Sequence, residues 1–317
     1  MNTLIYFDLW DYPLTGFEVW QNIGGVSPVG AGLKPAPTEG EGGFADIEKC
    51  LAESVFLREK IEYKNGFYFL RGRGEIVQTR HARYLLAFSK YRKAKRIAWI
   101  LSRIPFIRAI FVSNTLAYSN AKPESDIDFF IVTSAGRIWF ARFWAVMILS
   151  ILRLRPRPNH TRDTICLSFW VSEQKLNLES LTLGEGDIYF YYWLVQLVAL
   201  YDDVGIEQKL ERENAWLKKY LPNAHFYSSH PKRRISGNMR VKRIAEWMLR
   251  GRLGDRLTLW TEKIQRRKMN PEITAKMNKG TDVVINADIL KMHVLDRREE
   301  IKKNYELKQQ IPPQPSL

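Results

Sequence analysis

Ser125-Asp126-Ile127-Asp128 runs directly into the apolar stretch Phe129-Phe130-Ile131-Val132. In a strand, residues two apart share a face, so this spacing sets Asp126 and Asp128 side by side and turns Ile127 into a core. Two carboxylates held that close repel and raise each other's pKa unless a cation sits between them. Hard oxygen donors suit Mg2+, which takes one or two protein carboxylates and completes its shell with water and phosphate oxygens. Asp126 and Asp128 are therefore candidate metal ligands for phosphoryl chemistry.

Upstream lies Phe111-Val112-Ser113-Asn114-Thr115-Leu116-Ala117-Tyr118-Ser119-Asn120, in which 107–112 reads as a short buried strand and 113–120 as a polar turn. Together with the Ser-Asp-Ile-Asp core, this stretch resembles the nucleotidyltransferase superfamily of DNA polymerase beta and the minimal nucleotidyltransferases. The signature of that family is a Gly-Ser turn, a short helix, then Asp-x-Asp on the next strand. The resemblance covers residues 107–133 at the level of motifs. Asn114-Thr115 stands where the family has Gly-Ser, and Ser119 where it has a later glycine. Asn enters the left-handed backbone region more readily than most residues, and Thr keeps the hydroxyl. The resemblance implies an NTP substrate, Mg2+, and Ser113, Asn114, Thr115 and Ser125 as nucleotide-binding residues.

It also implies a third acidic residue on a neighbouring strand. The next strand candidate, 164–171, has no carboxylate in its interior. Asp163 at its entry is the chosen third catalytic residue; Glu173 lies just beyond its end, and a solvated turn is the competing reading of Asp163. If neither acid serves, two carboxylates hold the metal or catalysis has been lost.

The chain must position these groups, and it is long enough to do so. Its 317 residues, 45% hydrophobic and 13% aromatic, support two or three folded domains rather than disorder. Cys50 and Cys166 form no disulfide framework, and the first eight residues lack a basic region with a clean apolar run. Both features predict a cytoplasmic protein.

The net charge of +15 is concentrated in two tracts. Residues 71–108 carry eleven Lys/Arg against Glu75, and residues 231–270 carry thirteen against three acids. Two basic tracts suit a polyanion such as nucleic acid or nucleotide phosphates, while a solvated helix face explains either one taken alone.

A short helix is expected over 2–10, and Thr15-Gly16-Phe17-Glu18 has capping-box spacing. Residues 24–43 are rich in Gly, Pro and small side chains and read as a flexible insertion. A helix over 45–56 and a hairpin around Asn65-Gly66 complete the helix-then-hairpin order of a winged helix. The 46–53 segment, where a DNA-reading helix would sit, is acidic, which favours a structural or protein-contacting module. A long helix follows over 75–103, with aromatic and basic residues interleaved.

The apolar segment 137–154 has an uninterrupted run of only about ten residues, broken by Arg142. Spanning a bilayer takes about 20, so a core helix is expected here and membrane contact is not; an interfacial helix is the competing reading. Helices are also expected over 187–201, 207–220, 240–250, 253–268 and 287–305, with a short strand at 282–285.

The predicted class is α+β, with a winged-helix-like module (1–74), a linker helix (75–104), a small mixed-sheet nucleotidyltransferase core (105–222), a basic helical region (223–308) and a disordered tail (309–317). The expected activity is Mg2+-dependent transfer of a nucleoside monophosphate from an NTP to an acceptor hydroxyl of unknown identity, releasing pyrophosphate. The alternative is a catalytically degenerate protein of that fold that binds nucleic acid, through 71–108 and 231–270, or a protein partner.

Overall fold

A computed structural model describes residues 1–24, 43–157, 160–226, 231–236 and 239–310. The predicted flexible insertion lies outside the described residues except for its two ends, as does the tail from residue 311. The fold is a mixed α+β arrangement in which helices cover both faces of a six-stranded mixed sheet.

The chain opens with α1 (Asn2–Asp8), α2 (Gly16–Gln21), α3 (Phe44–Glu53) and α4 (Val55–Lys60). The expected capping box is present: Thr15 Oγ1 accepts from Glu18 N, and the Glu18 carboxylate accepts from Thr15 N. The helix expected over 45–56 is two helices, because Ser54 leaves the helical conformation and its hydroxyl caps α4. A hairpin follows, β1 (Ile61–Lys64) and β2 (Phe67–Leu70). Asn65 (φ 52°) and Gly66 (φ 86°) both adopt the left-handed conformation that a two-residue turn of this hand requires.

The long α5 (Ile76–Leu101) leads to β3 (Ile107–Val112), the short α6 (Asn114–Ala117) and β4 (Ile127–Thr133). Then come α7 (Ile138–Ile151), β5 (Ile165–Ser172), α8 (Ile188–Val195), β6 (Val198–Asp202) and α9 (Ile206–Glu213). The last elements are α10 (Arg240–Met248), α11 (Arg252–Arg267), α12 (Pro271–Lys276), β7 (Val283–Ile285), β8 (Ile289–Met292) and α13 (Arg298–Gln310).

The sheet order is β6-β3-β4-β5-β8-β7. Only β4 and β5 run parallel, joined by α7 as the crossover; every other neighbouring pair is antiparallel. Ile127, Phe129 and Ile131 of β4 pack toward α5 and α7. Phe130 and Val132 face the opposite way, into a core shared with α1, α8 and α13. Phe130 is fully buried, and truncating it to Ala would cost about 3–5 kcal/mol. Tyr6 stacks on Tyr192 at 4.3 Å, so the first helix is part of the same core as the sheet.

Two expectations change. The helix expected over 187–201 stops at Val195, and Val198–Asp202 is instead the edge strand beside β3. A short run that is apolar on every side satisfies helix and strand patterns alike, so periodicity could not separate them. The helix expected over 287–305 begins only at Arg298; Ile289–Met292 is a strand between β5 and β7, entered through a turn in which Asn286 Oδ1 accepts from Asp288 N and Ile289 N. The C-terminal region is thus not wholly helical. It supplies two strands to the sheet. The expected tail also starts later, since α13 runs through Gln310.

Among the described residues, no helix is long and apolar enough to cross a membrane.

Candidate active site

Strand alternation places Asp126 and Asp128 on the α8 and α13 side of the sheet, at the start of β4. They line a cavity of about 340 Å³ together with Asn114, Thr115 and Ser125, and with Trp10, Tyr189, Lys291, His293 and Arg297. Ligand atoms of Asp126, Asp128 and Cys166 all lie within 4.8 Å of one another.

The pair is electrostatically costly as it stands. Burial raises Asp126, and the neighbouring Asp128 raises it further, to about 7. Burial also raises Asp128, against hydrogen bonds from Asn114 and Cys166 that favour its charged form. A divalent cation between the two would remove the repulsion and offset the lost hydration. Two adjacent carboxylate oxygen sets suit a hard cation such as Mg2+.

Cys166 is the group that sequence reasoning missed. It pairs with Asp128 across the parallel β4–β5 ladder, the position from which a neighbouring strand addresses the acidic pair. Burial, followed by the charge of Asp128, pushes its thiol well above the ordinary value, so it stays protonated. A protonated thiol donates to Asp128 and is a poor partner for a hard cation. Its Sγ lies 3.3 Å from Ser168 Oγ, which in turn is 2.7 Å from His293 Nε2. A β-bulge lies behind this row: two steps on β4, Asp128 to Phe130, match three on β5, Cys166 to Phe169. Phe169 consequently turns to the cavity side, where it stacks on Trp193 at 5.2 Å.

In the turn before the acidic strand, Asn114 (φ 55°) and Ser119 (φ 61°) both adopt the left-handed conformation that favours glycine. Asn114 Oδ1 accepts from Tyr189 Oη at 3.1 Å while its side chain also hydrogen-bonds Asp128. Thr115 and Ser125 line the cavity, and Ser125 Oγ accepts from Lys122 N at 3.1 Å. Ser113 does not line it; it is buried, and its N–H donates to the Asp128 carbonyl at 3.1 Å.

Asp163 is placed apart from the acidic cluster. Its Oδ1 accepts from Lys90 Nζ at 2.7 Å, and the same ammonium donates to Ser125 O at 2.7 Å and Pro123 O at 3.3 Å. Lys90 is buried in α5, so this contact ties the loop ahead of Asp126 to the long helix. Glu173, at the far end of β5, lies near Arg108 at 3.8 Å.

Lys291, Arg297 and Arg298 add cationic groups to the same cavity, on or just beyond β8, which lies two strands from β4. Burial, with nearby Arg298 adding to it, lowers Lys291 to about 8. Arg298 is committed to Asp187 at 2.9 Å and Asp296 at 2.6 Å. Burial, with Lys291 adding to it, pushes His293 down to about 4, so its ring is neutral. Trp10, from the turn after α1, completes this part of the cavity wall. The sequence carried no local signal for these groups, because the strand and turn that deliver Lys291 and His293 had the pattern of a helix.

No protein-family model, curated protein or solved structure matches this chain.

Proposed function

We propose that this chain is a nucleotidyltransferase that moves a nucleoside monophosphate from an NTP to an acceptor hydroxyl. The observation that carries this reading is one cavity holding two adjacent carboxylates at one strand and cationic side chains at another. Asp126 and Asp128 would hold Mg2+, which supplies charge neutralisation at phosphate oxygens when bound. Thr115 offers a hydroxyl and Asn114 an amide beside the carboxylates. Lys291 and Arg297, which line the same cavity, would offset the charge that collects on the departing pyrophosphate. The new bond joins the acceptor oxygen to the α-phosphorus as its hydroxyl proton passes to water, and the bond from that phosphorus to the bridging oxygen breaks, releasing pyrophosphate. Stacked Phe169, Trp193 and Phe190 form an aromatic wall suited to a base. Residues 1–74 fit a winged-helix-like module serving protein contact.

Asp128→Asn tests the assignment. It removes one ligand charge while keeping the side-chain shape, so pyrophosphate release should be lost with the circular dichroism spectrum unchanged. Unaltered turnover rejects the reading.

One observation favours a second reading, a degenerate core that binds without reacting: the strand position facing Asp128 holds a protonated thiol instead of a third carboxylate. Calorimetric titration with ATP, with and without Mg2+, separates the two. Metal-dependent ATP binding supports the first, and its absence the second.

A further inference from the structure

The helix α10 is inside out. Its inward face carries Lys242 and Glu246, only 3% and 5% exposed, while Val241 and Trp247 on the outer face are 82% and 72% exposed. The inward charges are satisfied by the sheet's edge. Glu246 accepts from Phe106 N and Arg108, and Lys242 donates to Tyr201 Oη and the Ile107 carbonyl. Ile244 and Met248 join the outer apolar stripe at helical spacing.

The next helix repeats the arrangement. Gly254, Thr258 and Thr261 of α11 face inward, whereas Leu253, Leu259 and Trp260 are exposed. A Cβ on Gly254 would stand 1.8 Å from the Leu249 carbonyl oxygen, so the two helices meet closely where the chain turns between them. The same two helices and their ends carry Arg250, Arg252, Arg256, Lys263, Arg267 and Lys268, all exposed and none in an ion pair among the described residues.

We infer that the α10–α11 face docks onto an anionic membrane surface. Nucleic acid would engage the cations but offers nothing to cover Val241, Ile244, Met248 and Leu259. A lipid interface satisfies both: the apolar stripe enters the headgroup boundary, Trp247 and Trp260 suit the interface, and the cations meet anionic headgroups. The two helices lie along the surface, and no helix among the described residues is long and apolar enough to span it.

Co-sedimentation of the full chain with vesicles tests this, using phosphatidylcholine alone and phosphatidylcholine mixed with phosphatidylglycerol. The protein should pellet with the mixed vesicles only. Neutralising two cations, Arg252→Gln with Arg256→Gln, should weaken binding by about fivefold per charge. Trp247→Ser with Met248→Ser alters only exposed side chains, so it should keep the fold, and it should abolish the part of the binding that resists high salt. Three outcomes overturn the inference: no pelleting with the mixed vesicles; pelleting unaffected by the Trp247 and Met248 changes while duplex DNA competes; or an equilibrium dimer in solution that those same changes dissociate.

Discussion

Cys166 stands directly across the parallel β4–β5 ladder from Asp128, with its protonated thiol turned to that carboxylate. The relationship makes Cys166 a support for the acidic pair, and not a ligand of the proposed Mg2+.

Cys166→Ala should therefore weaken Mg2+ binding by about tenfold, the usual size of a lost supporting contact, and leave it measurable. Cys166→Asp puts a third carboxylate at the same position. It should tighten Mg2+ binding in a calorimetric titration if the pair already holds the ion. Weaker binding in Cys166→Asp would mean that the thiol itself is needed.

Asp163 should behave as a structural residue. Asp163→Asn removes the charge opposite Lys90 and should lower thermal stability while leaving Mg2+ affinity near that of the wild type. Lys90→Met should cost more, about 1–3 kcal/mol, because the Ser125 and Pro123 carbonyls lose their donor as well. A loss of metal binding in Asp163→Asn equal to that in Asp128→Asn would place Asp163 in the site after all.

Asn114 has two roles that can be separated. Asn114→Gly keeps the left-handed backbone but loses the contacts to Tyr189 and Asp128. Asn114→Ala loses the contacts and adds backbone strain of about 1 kcal/mol or more. Both should impair metal binding similarly, with Asn114→Ala the less stable in urea titrations.

The metal-free protein should lose stability as pH rises toward neutrality. The folded-state pKa of Asp126 lies above its ordinary value, at about 7 against 3.8. The folded state therefore holds its proton more tightly than the unfolded state does, and stability falls as pH climbs from about 4 to about 7. His293, pushed from 6.5 down to about 4, acts in the opposite direction over much of that window. Asp126→Asn isolates the carboxylate. The melting temperature of the variant relative to wild type should rise across this window and level off above it. Mg2+ should raise the wild-type value most at the alkaline end.

Local patterns reached far in this chain. The Asp-x-Asp strand, the Thr15 cap, the Asn65-Gly66 hairpin and the long α5 each rest on spacing within a few residues, and all are present. The left-handed backbone at Asn114 was also legible, because asparagine enters that region more readily than most residues; a serine gives no such signal, and Ser119 adopts it as well. Cys166 gives no signal of its role, because a thiol does not match a pattern that calls for a carboxylate. β8, and with it Lys291 and His293, was hidden because a strand buried on both faces has no alternation to read. Its strand state is set by β5 and β7, its neighbours in the sheet.

Trp10, from the first turn of the chain, forms part of the cavity wall, and its carbonyl accepts from Arg83 and Asn120. Arg83 shares α5 with Arg80, which grips Glu18, and with Lys90, which grips the acidic loop. The opening residues are thus tied to the acidic cavity through one continuous helix. Trimming them would remove Trp10 from the wall and open the cavity beside the carboxylates.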